Sequence, residues 1–167
     1  MNLSRSNSGI MELPFKLVIM MLLMGLVIPT VAVGYRGVSR IRYQEKVRNE
    51  LQDLVVFSRK LMQEGDLSSM TIELELTGNY FASLDYVELG DTLGEKEWMI
   101  NYKLSWREHE DHITSIDPLV KLTSPDNSTF RLTAGSQRLK LTHIFTENTS
   151  FVVVSDLNEN IDRSVFT

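Results

Sequence analysis

Positions 17–33, LVIMMLLMGLVIPTVAV, contain no charged residue. Extending the run to 13–35 gives 23 residues interrupted only by Lys16, whose aliphatic stem can carry its ammonium to an interface. At about 1.5 Å per residue such a helix is roughly 34 Å long, enough to cross a hydrocarbon core of about 30 Å. A helix apolar on every side has no face to give to water, and a chain of 167 residues has little protein to wrap around it. A membrane-spanning helix is therefore expected. A cleaved secretory signal would need a shorter apolar core, about 7–15 residues, followed by a small-x-small site. Val31-Ala32-Val33-Gly34 offers only a weak version of that site, and the pattern beyond it continues as helix.

Charge is distributed as unevenly as hydropathy. Residues 1–35 carry a net +1, residues 36–65 a net +3 and residues 66–167 a net −9, for a total of −5. This acidic balance opposes nucleic-acid binding, which relies on Lys and Arg to displace counterions. With no cysteine, disulfides, thiolate metal sites and thiol nucleophiles are excluded.

Residues 1–9, MNLSRSNSG, are short and polar and are expected to be unstructured. A helix can begin near Glu12, with Pro14 in its first turn, where the missing N–H costs nothing. Gly25 and Pro29 lie inside the span, so a kink or an unwound stretch is expected there. Beyond Gly37 the pattern becomes amphipathic. Val47, Leu51, Leu54, Val55, Leu61 and Met62 recur at helical spacing, while Arg40, Lys46, Arg48, Gln52 and Lys60 remain for other faces. Gly65 is a natural stop.

The period then switches to two. Met70, Ile72, Leu74 and Leu76 alternate with polar residues ahead of a Gly78-Asn79 turn. Trp98, Ile100, Tyr102, Leu104 and Trp106 alternate in the same way. Further strand patterns cover 130–134, 139–143 and 151–154, separated by turns at Gly135-Ser136 and 146–150. Six or seven short strands imply an α+β chain, a long N-terminal helix packed on an antiparallel β-sheet or small β-sandwich.

The run Ser8-Gly9-Ile10-Met11-Glu12-Leu13-Pro14-Phe15-Lys16, followed by the apolar stretch and the amphipathic helix, resembles an archaeal type IV prepilin with a class III signal peptide. The resemblance implies a leader, residues 1–9, cut between Gly9 and Ile10 by a prepilin peptidase. It further implies a transmembrane and filament-core helix at 10–35, an amphipathic helix at 36–65 and an extracytoplasmic head at 66–167. Copies of the chain or other pilins would assemble through the helix, on a membrane assembly platform, into a surface filament with the heads in adhesive contact. Glu12 would pair with the freed ammonium of a neighbour; as a bare carboxylate it could equally serve the helix N-terminus. Pro14 stands where family members usually carry their acidic residue, and Pro29 matches a helix-breaking proline found in many pilins. Asn7-Ser8 occupy positions where archaeal leaders usually place Lys or Arg.

Topology is contested by the charges. Arg36, Arg40, Arg42, Lys46 and Arg48 follow the span, and the positive-inside rule alone would leave the head in the cytoplasm. A pilin head must be outside; the basic segment would then face acidic neighbouring heads or membrane headgroups. Sequons at Asn127-Ser128-Thr129 and Asn148-Thr149-Ser150 fit external turns as acceptors for N-glycosylation or as plain polar turns, and Asn2-Leu3-Ser4 matches the same pattern.

Catalytic signatures are lacking. No HExxH, P-loop, GxGxxG or GxSxG occurs. His109 and His112, in REHEDH, read as a solvated charged turn, and His143 as a half-buried strand residue. Glu73, Glu75, Glu88, Glu95 and Glu97 read as a solvated face, Trp98 and Trp106 as core anchors, and Met20, Met21 and Met24 as lipid or helix packing. The chain is expected to be no enzyme and to need no cofactor or metal. Besides the pilin reading, a monomeric membrane-anchored β-sandwich that binds a partner, or serves a secretion or motility machine, fits the same residues.

Overall fold

A computed structural model describes residues 8–90, 99–114, 120–125, 128–146 and 149–157, with the backbone alone for 8–13 and Thr114. The chain divides into two compact units, Met1–Ser39 and Arg40–Thr167. Helix α1, Ser8–Glu64, contributes to both. The fold is α+β, as the change of period predicts.

In the first unit α1 is helical from Ser8, so the polar leader is not wholly unstructured as expected from its composition. Once a helix is nucleated downstream, each added residue closes one more bond at little cost, and neither Ser8 nor Gly9 blocks that. Helicity is also unbroken through Gly25 and Pro29, which rules out an unwound stretch there. Pro29 removes the N–H that would close on the Gly25 carbonyl. One residue on, the Thr30 hydroxyl donates to the Leu26 carbonyl at 2.8 Å.

In the second unit residues 40–64 of α1 bury a single stripe. Tyr43, Val47, Leu51, Leu54, Ser58 and Leu61 are buried at spacings of four or three, the seam of a helix laid along a surface. Val55 flanks the stripe, and Met62 is half-buried beside it. Ser58 is polar but satisfied, its hydroxyl donating to the Leu54 carbonyl at 2.8 Å.

Among the described residues eight strands follow: β1 Ser69–Glu75, β2 Leu84–Leu89, β3 Met99–Leu104, β4 Asp111–Thr114, β5 Leu122–Thr123, β6 Phe130–Leu132, β7 Ser136–Thr146 and β8 Thr149–Asp156. They form two four-stranded sheets, ordered β1-β7-β8-β5 and β4-β3-β2-β6. All pairings are antiparallel except β5 with β8, which is parallel and departs from the expected antiparallel arrangement. Strands β2, β4 and β5 were not foreseen. In β2 the buried residues Leu84, Val87 and Leu89 are out of strict alternation because a register shift lies between Leu84 and Tyr86. Strand β5 has two residues, and β4 opens with the charged end of REHEDH, so neither shows a periodic run.

Inward residues of both sheets meet the helix stripe in one core, with Ile72, Leu74, Leu89, Ile100, Leu104, Leu139, Leu141 and Val154 all buried. Polar contacts lock the helix to the first sheet, and a ring contact ties it to the second. The Tyr43 hydroxyl donates to the Leu76 carbonyl at 2.7 Å, and Glu50 Oε2 accepts from the Glu75 N–H at 3.2 Å, on the edge of β1 away from β7. Tyr43 also lies 6.1 Å from the Trp106 ring, just past β3. At Gly90 (φ +73°) a Cβ would fall 2.2 Å from the Leu122 carbonyl oxygen, so only glycine lets β2 end against β5.

At the far end α1 stops at Gly65 (φ +109°), as its sequence position suggests. His143, on β7, is buried rather than half-buried and holds this terminus. Its Nδ1 lies 2.7 Å from the Gly65 carbonyl, which can only accept, so Nδ1 carries a proton. Its Nε2 lies 2.6 Å from the Ser150 hydroxyl on β8, and its backbone exchanges bonds with Leu67 and Ser68.

Two predictions follow from this packing. Leu51→Ala should destabilise the head by about 2–5 kcal/mol, and His143→Ala by about 1–3 kcal/mol through stranded polar groups, in denaturant titrations of the full chain in micelles. Burial raises the hydroxyl pKa of Tyr43 and of Tyr102 above the ordinary tyrosine value. Their contribution is complete below that value and is lost as pH climbs through the raised one, because the unfolded chain ionises first. Alkaline unfolding should therefore be steeper than in Tyr43→Phe.

Candidate functional site: an uncovered apolar helix

From 14 to 38 every residue of α1 is exposed. Sixteen large apolar side chains lie uncovered in this stretch, among them Phe15 at 67%, Met21 at 72%, Leu22 at 69%, Leu26 at 71% and Val33 at 69%. Surface patches beyond a few hundred Å² mark a site of interaction, because water must be removed from them to lower the free energy. At about 1.5–3 kcal/mol per buried side chain, covering sixteen of them is a drive of tens of kcal/mol. Among the described residues α1 is the one helix long and apolar enough to cross a membrane. It is compatible with membrane anchoring or with a signal sequence.

The stretch is not featureless. Val18, Met21, Leu22, Gly25, Leu26 and Pro29 fall on one stripe and line a shallow groove. A Cβ at Gly25, Gly34 or Gly37 would meet nothing within 4 Å, so no contact inside the chain demands glycine at these places. Met20, Met21 and Met24 are exposed here as well, soft side chains suited to lipid or to another helix.

Among the residues singled out from sequence, Gly9 and Ile10 lie within the first turn of α1. No acidic residue falls in that turn, so Glu12 sits in the second, where the dipole has largely faded. Pro14 is likewise inside the helix rather than in its first turn, and it leaves the Ile10 carbonyl without its usual donor. Both shifts have one cause, the earlier start of the helix. Asn127, Asn148, Trp98, Glu95 and Glu97 lie outside the described residues.

Among the described residues the head brings no catalytic set together. No group of three His, Asp or Glu residues suited to a metal occurs among the described residues. The REHEDH segment is more ordered than a solvated turn. Arg107 forks onto Asp111 with two bonds of 2.9 Å and reaches Gln44 of the helix at 3.1 Å, while the Tyr86 hydroxyl donates to Glu110. His109 and His112 remain exposed. The acids are engaged locally. Glu73 accepts from Ser136, Glu88 faces Arg131 at 3.9 Å, and Glu75 faces Lys46 at 3.9 Å. A hydrogen bond from Thr77 holds the Glu75 carboxyl below its usual range.

Part of the basic segment is also turned inward. Arg40 donates from Nε to the Phe81 carbonyl at 3.4 Å and stacks 5.7 Å from the Trp106 ring centre. Trp106 is thus half-buried where helix and second sheet meet. Sequence periodicity starts the helix stripe at Val47; the structure adds Tyr43, one helical step earlier, and closes the expected Gly78-Asn79 turn at an Asn79–Ala82 bridge.

Leu22→Arg places a charge mid-stretch and should cost about 2.5–3.5 kcal/mol of membrane insertion. Alkaline carbonate extraction should release a larger fraction of that variant than of Lys60→Glu, which alters an exposed residue beside the buried stripe.

No family model, curated protein or solved structure matches this chain.

Proposed function

We propose that this chain is a type IV pilin-like structural subunit, a minor pilin or a filament subunit, that assembles through its apolar helix into a surface pilus or related filament. The observation that carries the reading is the abrupt change along one continuous helix, uncovered and apolar over 14–38 and built into a closed β-sheet core over 43–61. A signal sequence has no need to continue as a structural element of the domain behind it. A filament subunit does, because helix–helix contacts must transmit their geometry to the head.

The Ser8-Gly9-Ile10 junction supplies the second support, through its resemblance to a prepilin processing site. Removal of residues 1–9 would give a chain starting at Ile10, with Pro14 as its fifth residue. The ammonium so formed and the Glu12 carboxylate are the only charges before Lys16. In a low-dielectric bundle each would be costly alone, and each is the natural partner of the other on a neighbouring copy. In this reading the head faces outward and Asn127 and Asn148 are external sequons.

Intact mass and N-terminal sequencing of the protein from its native membrane should give a start at Ile10. Gly9→Leu should block processing and retain residues 1–9. A native chain that keeps them would instead be a membrane-anchored monomer with a partner-binding β-domain, and a start near Tyr35 would mean an ordinary secreted domain.

A further inference from the structure

The two sheets of the head turn different faces to solvent. On the second sheet the outward positions include Tyr86, Glu88, Asn101, Lys103 and Arg131, a polar surface of the kind an antiparallel sheet gives to water. On the first sheet the outward positions change character along the strands. Glu73 opposes Arg138 and Thr71 opposes Lys140, but further along Thr142 opposes Val153 and Ile144 opposes Phe151. Ile144, Phe151 and Val153 are half-exposed and lie outside the buried core. Beside them Leu67 is 73% exposed and holds φ +61°, a left-handed conformation disfavoured for leucine, with its N–H donating to the His143 carbonyl. Water against such a row is the unfavourable alternative to covering it.

The strand register fits this face to a copy of itself. Leu67, Ile144, Phe151 and Lys121 lie at one level across the sheet, because the His143 N–H donates to the Ser68 carbonyl and Leu122 stands opposite Val152. Ser69, Thr142, Val153 and Thr123 form the next level. A two-fold axis between two facing sheets, parallel to the strands and midway between β7 and β8, keeps each level and reverses its order. Ile144 then meets Phe151 of the second copy, Thr142 meets Val153, and Leu67 meets the aliphatic stem of Lys121. Lys140 faces Ser155 and Arg138 faces Leu157, so like charges are not opposed. The head as a whole is acidic, with a net −9 over 66–167, but the outer side of this sheet carries Lys121, Arg138 and Lys140 against Glu73 and Glu75. Self-repulsion is relieved at this face.

We infer that the outer face of the first sheet, centred on Ile144, Phe151 and Val153, is a contact with the same face of a second copy of this chain. A two-fold contact closes on itself, so it does not extend a filament; it ties one subunit, or one filament, to another. Few side chains take part, and the pair is captured by cross-linking at high protein concentration rather than by sizing. The contact belongs to the head and is independent of the reading of α1.

Because the chain has no native cysteine, single thiols can be placed cleanly. Full-length Thr142→Cys and Asn101→Cys, the latter on the outer face of the second sheet, are treated in micelles with a bismaleimide linker of about 10 Å, the spacing of stacked sheets. Thr142→Cys should give several-fold more linked dimer than Asn101→Cys. Adding Ile144→Lys or Phe151→Ser should lower that yield about fivefold. Both change half-exposed side chains, and near-ultraviolet circular dichroism checks that the head stays folded. Equal yields at 142 and 101 overturn the pairing, because crowding in micelles brings every face together alike. A yield at 142 that survives both substitutions in folded protein overturns it as well. Leu22→Arg, which disturbs the apolar helix alone, should leave the dimer linked at 142 unchanged; its loss would assign the dimer to helix contacts and overturn pairing through the head.

Discussion

The head depends on a helix seam. Tyr43, Val47, Leu51, Leu54, Ser58 and Leu61 supply the surface that both sheets close upon. Two four-stranded sheets, one of them ending in a two-residue strand, leave little area to bury against each other alone. The helix stripe adds side chains that are fully buried, and each such leucine contributes about 1.5–3 kcal/mol. The polar locks at Tyr43, Glu50 and His143 then fix how the helix lies, because a slip of one residue would strand buried donors and acceptors. Removing the helix would open the core rather than shorten an appendage.

That dependence gives the uncovered half of the helix its significance. The same α-helical segment is both the lid of the core and the bearer of sixteen unburied apolar side chains, with no interruption at Gly25 or Pro29. A single hydrogen-bonded helix, rather than a linker, joins the uncovered stretch to the core. In the pilin-like reading proposed above, that continuity lets a bundle of helices set the spacing of the heads.

Several polar groups of the head have structural partners. His143 has both ring nitrogens committed, to Gly65 and Ser150. The REHEDH segment, which reads on paper as a tempting cluster of titratable groups, is spent on holding β4 and the helix through Arg107, Asp111 and Glu110. Arg131 stacks 4.1 Å from the Tyr86 ring centre and faces Glu88, closing an exposed network on the second sheet.

What the sequence determined by itself follows from periodicity and length. A chargeless run of seventeen residues can only be an all-round apolar helix, and repeats of 3.6 and then 2 dictate an amphipathic helix followed by strands. Gly65 and Gly135 mark where those elements stop because positive φ favours glycine. The tertiary structure alone decided the rest. The register shift inside β2 hides its alternation, β5 is too short to have one, and the parallel β5–β8 pair joins segments separated by two other strands. Burial of His143 and the hold of Arg40 on the Phe81 carbonyl depend on residues 41 to 78 positions apart meeting in space. Local pattern carries information over one turn of helix or one strand pair; contacts at that separation are set only when the core closes.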